Sequence, residues 1–188
     1  PQKKGDSLIV DTDEEPGRGK PNKIEKLHPA FDKEGTITAA NASSINDGAA
    51  ALTVISKDKA DELGIHSICR IIAHSSVAHE PLYFTTAPGK AITKVLKKSG
   101  LTIEDIDLFE INEAFSNVTL AAMREHSIPH DKVNIHGGAV SLGHPIGASG
   151  ARILVTLISA LQKKQKKCGL AALCIGGGEA AALIVEII

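Results

Sequence analysis

The 188-residue chain has no tryptophan, one tyrosine, one methionine and four phenylalanines. With aromatics at only 3%, it lacks the material for a base-stacking platform. Charge of one sign is missing too. Its 21 Lys and Arg against 22 Asp and Glu leave a net charge of −1, so no chain-wide basic field awaits nucleic acid. Three cysteines, Cys69, Cys168 and Cys174, contain no CxxC pair, which argues against a disulfide framework and against a zinc site. A reducing, cytoplasmic setting is the expectation that follows. No run approaches the apolar length of a membrane-spanning helix. The opening Pro1-Gln2-Lys3-Lys4-Gly5 is too polar to read as a signal peptide.

What is present fits a globular protein, with 43% hydrophobic and 23% charged residues. The length suits one domain, or one domain and part of another. Residues 1–35 are polar and punctuated by Gly and Pro, which reads as loop. An apolar run follows at Ala51–Ile55, predicted as a buried strand. Ser56 and Gly64 are placed to cap and stop a short helix. Strands are then predicted at 69–73, 107–111, 133–135, 170–174 and 180–187, and helices at 91–99, 113–126 and 148–164. The order βαβαβαββ predicts an α/β domain with a mixed, mostly parallel sheet covered by helices.

In such sheets ligands bind beyond the carboxyl ends of the strands, and three predicted strand ends carry polar residues. Asn112 stands between strand and helix. It suits a plain N-cap or an amide that fixes a water or a carbonyl. His144 lies in a run with five glycines within 14 positions, from Gly137 to Gly150. Glycines there allow close approach of backbone to ligand. The run closes with no Gly-Lys-Ser/Thr and lacks dinucleotide-fingerprint spacing. Cys174 ends an apolar strand before Gly176-Gly177-Gly178. Free N–H groups at Gly176 and its neighbours can form an oxyanion hole and help the thiol ionise. The residues alone leave two chemistries open: a thiol hydrolase with Cys174 as nucleophile, or proton abstraction beside a thioester with Cys174 as base.

These blocks resemble the thiolases, and within them the biosynthetic acetoacetyl-CoA thiolases. The resemblance rests on Leu27–Thr36, Asn41–Ala50, Asn112–Phe115, Gly137–Arg152 and Cys174–Gly178, in family order over the whole chain. It implies that Cys174 is the acid/base cysteine and that His144 activates the nucleophilic thiol and helps bind the thioester oxygen. Asn112 would hold the water of the first oxyanion hole, and the Gly176 N–H would serve the second. Ser43 and Ala42 would contact coenzyme A, with Leu27 and Phe31 as apolar contacts. Ala114 and Phe115 would line the pantetheine channel, and Phe84 would lie beside the acyl group.

The family's nucleophilic cysteine belongs to an N-terminal half not found in these residues; Cys69 lacks its context. The resemblance therefore divides the chain into residues 1–65, the end of the CoA-binding loop domain and the tail of the N-terminal thiolase domain, and residues 66–188, the C-terminal thiolase domain. It implies reversible Claisen condensation of two acetyl-CoA, with coenzyme A and acetyl-CoA as substrates, no covalently bound cofactor and no metal. The expected partners are CoA thioesters, an N-terminal thiolase half and, for the whole enzyme, copies of itself. No nucleic acid or membrane partner is expected, and the isolated chain is expected to be inactive. The alternatives are a 3-ketoacyl-CoA thiolase of the β-oxidation type and a non-catalytic CoA-binding chain.

Overall fold

The computed structural model describes residues 1–188, the side chain of Arg18 excepted. Two short helical turns, α1 (Glu15–Arg18) and a 3₁₀ stretch at Pro21–Lys26, interrupt the polar lead. Helix α2 (Lys57–Leu63) begins where Ser56 Oγ accepts from the Lys59 N–H at 3.3 Å and ends at Gly64, φ 66°. Both ends follow the local sequence.

Four strands form one sheet: β1 (Cys69–Ala78), β2 (Leu108–Ile111), β3 (Cys168–Ile175) and β4 (Glu179–Ile187), in the spatial order β1-β4-β3-β2. The sheet is mixed, as expected, but its majority is antiparallel. β4 pairs antiparallel with β1 and with β3, and only β2–β3 is parallel. The reason is the Gly176–Gly178 turn. It is too short for a crossover, so β4 must return beside β3 as a hairpin.

Two further strand expectations change. Residues 51–55 form no strand; no described strand lies beside them, and Val54 is 75% exposed. Residues 133–135 reduce to one parallel bridge between Phe109 and Val133. Asn134 then turns the chain away with φ 48°.

Helices α3 (Ala87–Ser99) and α4 (Ser116–His126) cover one face of the sheet, and α6 (Ser149–Lys164) covers the other. A single turn, α5 (Ala139–Leu142), precedes α6. On the first face Ile92, Val95 and Val118 pack on Phe109, Ile111, Leu170 and Ile184. On the second, Ile153, Leu157 and Leu161 pack on Leu108, Ala171 and Val185. Alternation along β2 follows from strand geometry: Leu108 faces α6, while Phe109 and Ile111 face away. Gly169 on β3 lets α6 approach, since a Cβ there would lie 2.8 Å from Leu157 Cδ1 and Leu161 Cδ1. No helix among the described residues is long and apolar enough to cross a membrane.

Candidate active site

The parallel pair β2–β3 sends its carboxyl ends in one direction. Asn112 follows β2 directly and is 1% exposed, and its N–H donates to Ala172 O of β3 at 2.9 Å. Cys174 lies two residues further along β3. His144 comes from the glycine-rich loop, with its backbone N–H donating to Ser44 O at 2.9 Å.

The two side chains meet. Asn112 Nδ2 lies 3.4 Å from His144 Nε2. On the other side of the ring, His144 Nδ1 lies 2.5 Å from Ser149 Oγ. The fully buried Ser149 hydroxyl donates to Pro145 O at 3.0 Å, so its oxygen accepts from the ring. Nδ1 therefore carries the proton, and Nε2 presents a lone pair to the site. Burial, with Arg152 nearby, pushes the His144 pKa down. The ring is held neutral, as a base requires.

Cys174 is half-buried on β3, and its side chain packs against the first core cluster. Burial raises its thiol above the ordinary value, while a backbone hydrogen bond acts the other way. Among the described residues it makes no hydrogen bond to His144 or Asn112; the shared feature is the strand-end position. Beyond it, Gly178 has φ 97°, and its N–H donates to Ile175 O at 3.1 Å. Gly176 is exposed, and its N–H has no acceptor among the described residues.

A second group of expected residues gathers beside this one. Ala42 and Phe115 form an antiparallel bridge. The Ser43 N–H and Oγ both donate to Ala114 O, at 3.1 and 2.9 Å. The Ser116 N–H donates to Asn41 O at 2.8 Å. This ladder keeps residues 113–115 extended, so α4 starts at Ser116 rather than at the predicted Glu113. Phe115 then meets Phe31 and Phe84 edge to face, at centroid distances of 5.8 and 6.1 Å. Three of the four phenylalanines form one aromatic wall, with Phe31 75% exposed at its rim. Leu27 is also exposed.

Several supporting residues had no clear sequence signal. Asn134 Oδ1 accepts from the Ile111 N–H at 2.8 Å, and its Nδ2 donates to Ile111 O at 2.9 Å and Glu113 Oε1 at 2.8 Å. It takes the place of a strand neighbour at the free edge of β2. Glu113 Oε2 accepts from the Val140 N–H at 3.1 Å, tying β2 to the glycine-rich loop. A separate cleft of about 410 Å³, lined by Met123, Val133 and Val140 among others, touches neither His144 nor Cys174. Among the described residues no cluster of His, Cys, Asp and Glu is placed to hold a metal.

The family model described as "Thiolase, C-terminal domain" matches residues 65–187, and that described as "Thiolase, N-terminal domain" matches residues 1–58. The chain belongs to the thiolase family. An acetyl-CoA acetyltransferase of Syntrophomonas wolfei subsp. wolfei is 52% identical over 98% of this chain and 47% of its own length. The crystal structure of the Bacillus anthracis acetyl-CoA acetyltransferase superposes with a TM-score of 0.91 at 41% identity, covering 100% of this chain and 48% of that one. The Acat5 thiolase from Ascaris suum in complex with coenzyme A superposes with a TM-score of 0.85 at 45% identity, covering 94% of this chain and 46% of that one. The chain thus spans about half the length of the curated thiolases it matches.

Proposed function

We propose that this chain is the acid/base half of an acetyl-CoA acetyltransferase, catalysing the reversible condensation of two acetyl-CoA to acetoacetyl-CoA and CoA together with an N-terminal thiolase half. The observation that carries the reading is the Asn112–His144 contact at the carboxyl end of β2, with Cys174 and the turn that follows it at the same end of the neighbouring β3. The names of the similar proteins support the substrate. The two family matches, separated between residues 58 and 65, support the division at residue 65.

The geometry suggests the following roles. Neutral His144 takes the proton of the partner half's nucleophilic thiol at Nε2, while Ser149 holds Nδ1–H. The resulting imidazolium, with a water on Asn112, can then donate to the thioester oxygen as enolate charge develops. One such donor is worth about 2.7–4 kcal/mol in a transition state. Cys174 removes the α-proton of acetyl-CoA as thiolate, and its raised pKa makes that thiolate a stronger base. In thiolysis the same thiol returns the proton to carbon. The Gly176 N–H faces the acyl-enzyme carbonyl. The Phe31–Phe84–Phe115 wall and the Ser43 turn are the proposed pantetheine contacts, with no other cofactor and no metal in the reaction.

The test is complementation. The chain is expected to show no acetoacetyl-CoA thiolysis alone, and to gain it when joined to the N-terminal half of the Syntrophomonas wolfei relative. Activity without that half, or none with it in a folded complex, contradicts the proposal.

A further inference from the structure

Two acids lie beside Asn112, Glu110 on β2 and Glu113 directly after it. Glu110 is 2% exposed with no hydrogen-bond partner for either carboxyl oxygen, and burial pushes that carboxyl up to about 7. Glu113 is instead engaged at both oxygens. Its Oε1 accepts from Asn134 Nδ2 at 2.8 Å, and its Oε2 accepts from the Val140 N–H at 3.1 Å. The carboxylate also occupies the space beside Gly138, where a Cβ would run into it. Asn134 is itself fixed, because its side chain pairs with both the N–H and the C=O of Ile111. Val140 lies in α5, four residues before His144. That turn closes where the Gly143 N–H donates to Ala139 O at 2.9 Å. Consecutive residues at the end of β2 therefore grip the glycine-rich loop at two points, Glu113 at Val140 and Asn112 at His144.

We propose that Glu113, seated on Asn134, is the positioning residue that sets the Asn112–His144 contact. This rests on the reading of His144 as the base of the site. The contact is a single approach of 3.4 Å, longer than an ordinary hydrogen bond, and does not fix its own geometry. The Glu113 bonds supply the missing tie. A carboxylate that accepts from N–H groups forms shorter, stronger bonds than a neutral acceptor. An amide cannot replace it, since both partners donate and an amide offers one acceptor oxygen. Glu113 acts through Asn112 and His144.

The experiment compares E113Q with T119V by NMR in the 188-residue chain, following the Asn112 side-chain amide and the His144 ring nitrogens. Thr119 is the control. Its buried hydroxyl donates to Ile111 O at 3.2 Å, so that bond ends on β2 rather than on the glycine-rich loop. E113Q is expected to shift the Asn112 and His144 signals and to weaken the NOE between the two side chains, and T119V to leave them in place. Unmoved signals in folded E113Q, or equal shifts in T119V, overturn the proposal. Where E113Q does not fold, the wild type decides: a scalar coupling across the hydrogen bond from Val140 N to Glu113 Cδ is expected, and its absence overturns the proposal. None of these readouts needs turnover. In the chain joined to an N-terminal thiolase half, E113Q is expected to lower kcat about 10- to 100-fold, with KM for acetoacetyl-CoA little changed. Shifted signals with an unchanged kcat would support the brace and count against His144 as the base.

Discussion

His144 Nδ1 lies 2.5 Å from the hydroxyl of Ser149, five residues downstream at the start of α6. Because that hydroxyl already donates to Pro145 O, the ring has one consistent proton arrangement, Nδ1–H with Nε2 free. The helix that closes the glycine-rich loop thus also selects the tautomer of the candidate base.

Replacing Ser149 with Ala should release that selection. Stability is expected to fall by about 1 kcal/mol, the net worth of a buried hydrogen bond, as read by urea unfolding. The ¹⁵N shifts of His144 should move toward a mixture of tautomers. An unchanged Nδ1–H signature would show that another group orients the ring.

Gly178 is the residue that makes the turn after Cys174 possible. Its φ of 97° disfavours any side chain, and a Cβ there would run into His79 O and Pro81. Gly178→Ala is expected to cost about 2–4 kcal/mol. It should also displace the Gly176 N–H, so amide shifts across 175–179 should change far more than those of α3. Wild-type stability in this variant would contradict the described turn.

Glu110 predicts a pH dependence with a definite sign. Its carboxyl titrates near 7 in the folded chain, against about 4.3 in an unfolded one. The folded state therefore binds this proton more tightly, and its contribution is stabilising at low pH. It is lost progressively as the pH rises from about 4.3 to 7, by about 4 kcal/mol in all. The stability difference between wild type and E110Q, measured by urea unfolding at pH 5 and pH 8, should shrink or reverse over that range. A constant difference would mean that Glu110 ionises normally.

These residues also show how far the sequence could be read. Ser56 and Gly64 bound their helix by local rules, and α2 starts and ends where those rules place it. Strand direction was less accessible, because the strand–helix alternation in βαβαβαββ points to a mostly parallel sheet, although its last two strands have no helix between them. The Gly176–Gly178 turn is instead too short for anything but a hairpin. The start of α4 depends on Asn41–Ser43, some 70 residues away, and no local pattern reports it. Asn112 and His144 were legible because polar residues at strand ends and in glycine-rich loops are unusual. Ser149 at a helix start, Asn134 after an apolar pair and Glu110 within a strand all look ordinary. Their roles arise from burial and from partners brought together only by folding.

Cys174 is the proposed carrier of the α-proton, and deuterium uptake into the methyl group of acetyl-CoA in heavy water follows that proton. The chain joined to an N-terminal thiolase half should catalyse that exchange. Its Cys174→Ala variant should still become acetylated on the partner cysteine but lose the exchange by a factor of about 10² or more. Exchange that persists at the wild-type rate in Cys174→Ala would contradict the claim and give the base to another residue.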